Sequence, residues 1–224
     1  MEPSWRVELH AHSCWSLDSL TQPETIVQLC QERKITRIAI TDHNTADGAL
    51  ALKRLAPELT IVGEEIMTTH GELLAWFIQE SVPPGLSPDE TIRRLREQGA
   101  IISVSHPFDR YRRGAWRQQD LERIVEAVDA IEVYNSRCLR ERDNEQALQF
   151  ARRHGLPGSV GSDAHSTVEY GRSLQLMRPF DDDPADFLDA LRSSGQLCRS
   201  APALVHFSST AAKWVRRLGL RRRG

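Results

Sequence analysis

The sequence predicts an α/β fold whose mostly parallel sheet closes, or nearly closes, into a barrel. Three observations carry that expectation. Continuous apolar runs such as IAI (38–40) and IISV (101–104) have the pattern of strands buried on both faces. Such runs, about seven in all, alternate with helical patterns along the chain. Short motifs rich in histidine and carboxylate recur where the strands end, which is the edge at which α/β sheets gather ligands.

Taken in order, residues 6–9 form a short first strand. The segment 23–33 is a helix with Thr21 as its cap and Pro23 in the first turn, where the missing N–H costs nothing. A second strand is expected at 36–41, then a helix at 45–55 with Leu50, Leu52 and Leu55 among its apolar positions. A third strand follows at 59–66 and a fourth at 71–78, antiparallel or edge-placed after a tight turn. Ser87 caps the next helix, with Pro88 at N1 and Glu90 at N3, a capping box that Gly99 closes at the far end. Residues 100–104 are a strand, 121–128 a helix, 130–134 a strand, and 141–154 a helix stopped by Gly155. The last elements are a strand at 158–160 and a helix at 184–193. No internal repeat or low-complexity linker divides the chain, so residues 1–212 are expected as one barrel domain and 213–224 as a basic tail.

The 224 residues, 40% hydrophobic and 27% charged, suit a soluble domain with a sizeable core. No run approaches the roughly 18–20 apolar residues of a membrane span, so stable membrane insertion is not expected. MEPSWRVELH has neither the basic nor the apolar region of a signal peptide. Cys14, Cys30, Cys138 and Cys198 lie far apart with no CxxC pair, which argues against a disulfide framework or zinc knuckle and fits a cytoplasmic location. The net charge of −2 hides an asymmetry: Lys213, Arg216, Arg217, Arg221, Arg222 and Arg223 leave about −8 on the rest of the chain. In that tail Trp214, Val215, Leu218 and Leu220 interleave with the cations. Contact with an anionic partner, nucleic acid or a membrane surface, competes there with the plainer expectation of a docked turn followed by disordered arginines.

Five of the eight histidines fall in the strand-end motifs. In VELHAHSCWSLDS, His10 and His12 share one face of an extended segment, so both imidazoles can reach one ion, or can be ordinary strand-end histidines. Asp18 follows in a small-residue turn and can return a carboxylate to the same mouth. AITDHN places His43 beside Asp42, which either orients the histidine or caps the loop. IVGEEI offers Glu64 and Glu65, of which only one can face the site. VSHPF contributes His106, and in GSDAH the side chains of Asp163 and His165 alternate onto one face behind a permissive Gly161. About eight candidate ligands are too many for one four-coordinate ion, so two or three divalent ions fit better. Imidazole mixed with carboxylate favours zinc, manganese or iron over magnesium or calcium.

In this order, HxH with a following Asp, TDHNT, GxEI, a strand ending in HPF, IEVYN and GSDAH resemble the PHP (polymerase and histidinol phosphatase) family, over about residues 7–171. The resemblance implies a distorted (β/α)7 barrel, a trinuclear metal centre and phosphoesterase chemistry. Carried over by motif, the ligands are His10, His12, Asp18, His43, Glu65, His106, Asp163 and His165, with Glu65 chosen over Glu64 as the acid of GxEI. Of these, His10, His12, Glu65, His106, Asp163 and His165 are the expected catalytic set. A metal-bound hydroxide would attack phosphorus while the ions neutralise developing charge. The substrate would be a small phosphate ester or a nucleotide or oligonucleotide phosphate. Two departures stand out. GELLAW lacks a histidine that relatives carry there, unless Glu72 replaces it, and IEVYNSR leaves Glu132 or Asn135 where another branch has a histidine.

Arginines are suited to phosphoryl oxygens, and the candidates are Arg137, then Arg110, Arg112 and Arg113 after HPF, and Arg172 in YGRS; any of them can equally be a solvated surface arginine. His70, His154 and His206 lie outside the motifs, and Cys14 is a small packed residue more readily than a ligand. Two other readings compete. An amidohydrolase-type metal hydrolase also opens with HxH, but it usually needs a carboxylated lysine, and Lys34, Lys53 and Lys213 are not at strand ends. A non-catalytic module binding metal or nucleic acid would combine a degenerate centre with a functional tail.

Overall fold

The computed structural model describes residues 4–202 and, beyond them, Val205, Ala212 and Trp214. The first half contains β1 (Trp5–Ala11), α1 (Pro23–Arg33), β2 (Arg37–Ile40), α2 (Asp47–Leu55), β3 (Thr60–Met67), β4 (Glu72–Trp76), α3 (Pro88–Glu97) and β5 (Ile101–Val104). The second contains α4 (Gln118–Ile124), β6 (Ala130–Asn135), α5 (Glu141–Arg153), β7 (Gly158–Gly161), β8 (Leu174–Met177), α6 (Pro184–Arg192) and β9 (Gly195–Leu197).

Local sequence explains most boundaries. In α1, Pro23 occupies the first turn with Glu24, Arg33 lies in the last turn, and Lys34 ends the helix in the left-handed conformation at φ 55°. The cap is Gln22 rather than Thr21, and its side chain makes no capping hydrogen bond; Thr21 is instead turned back, its carbonyl accepting from Cys14 N at 2.9 Å. Ser87 caps α3 as expected, its hydroxyl accepting from Glu90 N. The helix expected at 121–128 begins earlier, as α4, and tightens into a 3-10 turn over Val125–Ala127.

The strands hydrogen-bond in the order β7-β6-β5-β4-β3-β2-β1-β8-β9. The pairs β1–β2, β2–β3, β5–β6 and β6–β7 are parallel, whereas β4 runs antiparallel to both β3 and β5. β8 and β9, which the sequence reading did not anticipate, add an antiparallel flap beyond β1. The sheet curls until the segment after β7 meets the end of β1: His12 N donates to the Ala164 carbonyl at 2.9 Å and Asp163 N to the His10 carbonyl at 2.7 Å. The result is a distorted (β/α)7 barrel, irregular because β4 is inverted and β8 intervenes.

At the end where the parallel strands begin, Phe180, Phe187 and Leu191 of the α6 region pack on Val7, Leu9, Ile61 and Trp76. Burial of such side chains contributes about 1.5–3 kcal/mol each. That end is plugged with apolar side chains. The opposite end, where the parallel strands finish, is left for polar groups. No described helix is long and apolar enough to cross a membrane. The tail expected over 213–224 lies outside the described residues except for Trp214.

Candidate metal centre

β1 delivers His10 and His12 together, both fully buried. The period-two alternation of a strand sets them on one face. His10 Nδ1 donates to Glu132 Oε1 at 2.8 Å, which turns Nε2 toward Glu65 Oε2 (3.4 Å) and Asp163 Oδ1 (3.6 Å). His12 Nε2 lies 3.1 Å from Asp163 Oδ1, 3.5 Å from Glu65 Oε2 and 3.2 Å from His10 Nε2.

The loop after β1 is fastened by Asp42. Its Oδ1 accepts from Ser13 N, Ser16 N and Ser16 Oγ at 2.7, 3.1 and 2.6 Å, and its Oδ2 from Ser13 Oγ at 2.5 Å. Asp42 is thus the loop cap, and His43 beside it enters the centre. His43 Nδ1 approaches Glu65 Oε2 at 3.0 Å and its Nε2 approaches Asp18 Oδ2 at 3.8 Å. Burial disfavours charge on His43, but the Glu65, Asp18 and Glu72 carboxylates prevail and push its pKa up to about 10. His12 goes the other way: burial and the neighbouring His165 and His43 rings hold it well below the usual histidine range.

Glu65 faces the centre from β3, while Glu64 points to the opposite side and accepts from Val82 N at 2.9 Å. Glu65 Oε1 accepts from Ser105 Oγ at 2.6 Å and from His106 Nε2 at 3.0 Å. Glu72, at the start of β4, also belongs here: its Oε2 lies 3.5 Å from His106 Nε2 and its Oε1 3.9 Å from His43 Nδ1. His165 closes the ring, its Nε2 3.3 Å from Asp18 Oδ1 and its Nδ1 2.8 Å from the Asp163 carbonyl. Three residues at this rim have left-handed backbones, Asn44 (φ 56°), His106 (φ 24°) and Asp163 (φ 51°). Such conformations are costly for L-residues and cluster at functional sites.

All eight sequence-expected ligands therefore meet in one buried cluster. Glu132 and Asn135 stand behind it: Glu132 Oε2 accepts from His106 N at 2.7 Å, and Asn135 Nδ2 donates to both Glu132 and Asp163 at 3.2 Å. Sequence reasoning missed Ser105, which precedes His106 in VSHPF, and the brace made by Asn44 Oδ1 accepting from Met67 N at 2.8 Å. The arginines are redistributed. Arg137 is buried behind His165, 2.5 Å from its Nδ1, and pairs with Glu169 at 3.3 Å. Arg172 donates to the Ser200 carbonyl, and Arg110 is exposed. The one that enters the cluster is Arg112, whose NH1 meets Asp163 Oδ2 at 2.5 Å. Cys14 donates to Gln22, Lys34 ends α1 and Lys53 pairs with Asp182, so none of them joins the centre.

These residues fit divalent ions. Glu65 Oε2 has three imidazole nitrogens within 3.5 Å, yet none is aligned to donate to it, and the buried His106 Nδ1 likewise has no hydrogen-bond partner. A carboxylate oxygen left without a hydrogen bond among three imidazole nitrogens suits a cation between them, because a buried polar atom without compensation is costly. Three compact groups form, His10–His12–Asp163, His12–His43–His165 and His43–Glu65–Glu72, with the ligand atoms of each within 4.8 Å of one another. A cavity of about 730 Å³ opens onto the cluster between Trp15, Asp18 and His43 on one wall and Glu72, Arg112 and Arg113 on the other.

A family model described as PHP domain matches residues 8–71, and one described as PHP-associated matches residues 141–194. Uncharacterized protein MJ0417 of Methanocaldococcus jannaschii is 34% identical over 196 residues, 84% of this chain and 79% of that protein. The chain belongs to the PHP family. The first PHP segment contains His10, His12, Asp18, His43 and Glu65, and the second contains Asp163 and His165. A two-domain Bacteroides vulgatus protein containing a predicted PHP-like metal-dependent phosphoesterase superposes with TM-score 0.71 at 19% identity, over 88% of this chain and 65% of that one. This chain thus spans less than two thirds of that two-domain protein. The lesion-specific endonuclease PfuEndoQ of Pyrococcus furiosus superposes with TM-score 0.59 at 15% identity, over 86% of this chain and 57% of that one. At these identities the likeness is one of fold. Membership of the PHP family supports a metal-dependent hydrolase.

Proposed function

We propose that the protein is a cytoplasmic metal-dependent phosphoesterase that hydrolyses a small phosphate ester or a nucleotide or oligonucleotide phosphate. The observation that carries this reading is the convergence of His10, His12, Glu65 and Asp163 on one point, with Asp18, His43, His106 and His165 around it. These eight side chains, joined by Glu72, would hold the ions. Zinc, manganese and iron suit the donors. When bound, such ions supply Lewis-acid charge neutralisation and a nucleophile at neutral pH.

The chain's own groups orient that chemistry. Glu132 fixes the His10 ring, and carboxylate–histidine pairs of this kind raise ligand basicity. Arg112 and Arg113 face the mouth, where phosphoryl oxygens would arrive, and guanidinium forks match phosphate geometry. Phosphate esters are favoured over amide substrates because neither described lysine reaches the centre. The endonuclease among the fold neighbours supports a nucleotide or nucleic-acid phosphate among the candidate substrates.

The test is a panel of phosphate mono- and diesters, including aryl phosphates and short oligonucleotides, on protein of measured metal content. Hydrolysis that is lost in His10→Ala and Asp163→Ala is the expected result. Inactivity across the whole panel with the metal sites filled would sink the reading.

A further inference from the structure

Two cavities meet at the metal centre, and they differ in charge. The larger, of about 730 Å³, holds Arg112 and Arg113 and has Asp18 and His43 in its wall. The second, of about 370 Å³, has His165 in its wall. Asp18 Oδ1 lies 3.3 Å from His165 Nε2, so the two cavities abut across that contact. His43 and His165 both belong to the compact group they form with His12, their ring centroids 5.7 Å apart. Each end of this group therefore borders a different cavity.

The smaller cavity is built from two segments. Thr21, Gln22 and Thr25 bring the start of α1 to one side, and Ser166 and Thr167 follow His165 on the other. Ala212, itself buried, lines it from the C-terminal region. Both walls are held in place. Cys14 Sγ donates to Gln22 Oε1 at 3.2 Å, which leaves the Nε2 end of that amide to donate elsewhere. Opposite, Glu169 Oε2 accepts from Ser166 Oγ at 2.6 Å and from His165 N at 3.2 Å, and Arg137 pairs with the other Glu169 oxygen at 3.3 Å. Gln22 Nε2 and the hydroxyls of Thr25 and Thr167 make no hydrogen bond to any described residue. The described lining contains no lysine, arginine, aspartate or glutamate. Such a surface suits an uncharged group that exchanges hydrogen bonds, and the volume lies at the small end of ligand pockets.

A phosphorus atom seated against the His12–His43–His165 group has a cavity on either side. A monoester has one organic arm and would fill one of them; a diester would fill both. The walls also divide the two arms by role. Charge develops on the leaving oxygen as its bond to phosphorus breaks, and only the larger cavity has guanidiniums to meet it. The neutral cavity is left for the arm that stays.

We propose that the cavity beside His165 binds the ester arm that remains on phosphorus, an uncharged hydrogen-bonding group, so that the substrate is a phosphodiester. This inference rests on the phosphoesterase reading above and narrows it to diesters. Water gives its hydroxyl to phosphorus, the P–O bond on the Arg112–Arg113 side breaks, and the departing alkoxide takes the remaining proton. The products are an alcohol and a phosphate monoester.

The experiment uses full-length protein of measured Mn²⁺ content and three probes that release the same chromophore: bis(4-nitrophenyl) phosphate, methyl 4-nitrophenyl phosphate and 4-nitrophenyl phosphate. Thr25→Trp and the milder Thr25→Leu fill the cavity from a half-buried position and touch none of the expected ligands. Circular dichroism confirms folding. In the wild type kcat/KM is expected to be about tenfold or more higher for the bis ester than for the monoester. Thr25→Trp is expected to lower kcat/KM for the bis ester by about tenfold, chiefly through KM, and to leave the methyl ester and the monoester within about twofold. Thr25→Leu should show the same selectivity to a smaller extent. A wild-type preference for the monoester overturns the inference and leaves the phosphoesterase reading standing. So does a folded, metal-loaded Thr25→Trp that keeps full activity on the bis ester, or one that loses all three activities equally. No hydrolysis of any probe by the loaded wild type overturns both. The wild-type comparison of diester with monoester stands without any variant.

Discussion

His10 donates from Nδ1 to Glu132 Oε1 across 2.8 Å, and this one bond sets which nitrogen faces the ions. The other Glu132 oxygen accepts from His106 N at 2.7 Å, so a single buried carboxylate positions two expected ligands from two strands. Glu132→Gln keeps the shape but must turn an amide N–H toward one of two donors. The expected effect is a loss of about 10–100-fold in metal affinity, typical for such supporting groups. Titration with Mn²⁺ measures it; an unchanged affinity would remove Glu132 from the site's architecture.

Gly161 lies against the back of His10. A Cβ there would fall 2.3 Å from His10 Cβ and 2.8 Å from Glu132 Oε1. Neither the His10 Cβ, anchored in β1, nor the doubly bonded Glu132 can swing aside cheaply. Gly161→Ala is therefore expected to cost about 1–3 kcal/mol, as overpacked cores do. For a chain of this size each kcal/mol lowers Tm by about 2–4 °C. Thermal unfolding with and without Mn²⁺ reads both the destabilisation and the lost metal response. A variant with wild-type Tm would show that the two strands have more room than these distances allow.

Glu64 supplies a pH dependence on the far side of β3. Burial pushes its carboxyl up to about 8, the Val82 N–H opposes this, and Asp47 adds to it. The folded state thus favours the protonated form relative to the unfolded chain. Glu64's contribution is fully present below the unfolded value, near 4.5, and is lost as pH rises through about 8. The drop is of the order of a few kcal/mol at most. Glu64→Gln should flatten the fall in Tm of the stripped protein between pH 5 and pH 9. An equally steep fall in the variant would place the titrating group elsewhere.

Much of this arrangement is visible in the sequence, for identifiable reasons. His10 and His12 are legible because a strand's alternation forces two residues onto one face, and Asp163 and His165 repeat the spacing after β7. Glu65 is distinguished from Glu64 by the same alternation, once the family motif says which one faces in. Other features depend on three-dimensional context. β8 and β9 are too short, LQLM and GQL, to announce themselves, and they exist because β1 offers β8 an open edge. Nothing local in DRYRRG says that Arg112 and not Arg110 turns inward; Asp109 and the Gly114–Glu72 contact decide it. The Glu72 carboxylate, absent from the motif pattern, reaches the centre because β4 is inverted between β3 and β5.

Hydrolysis of an aryl phosphate, followed on a single sample as its metal is removed and restored, tests the central claim most directly. Activity is expected to fall to background with chelation, to return in proportion to the divalent ions rebound, and to stay absent in Asp163→Asn throughout. Activity that survives complete removal of metal, or that never appears with the centre filled, would contradict it.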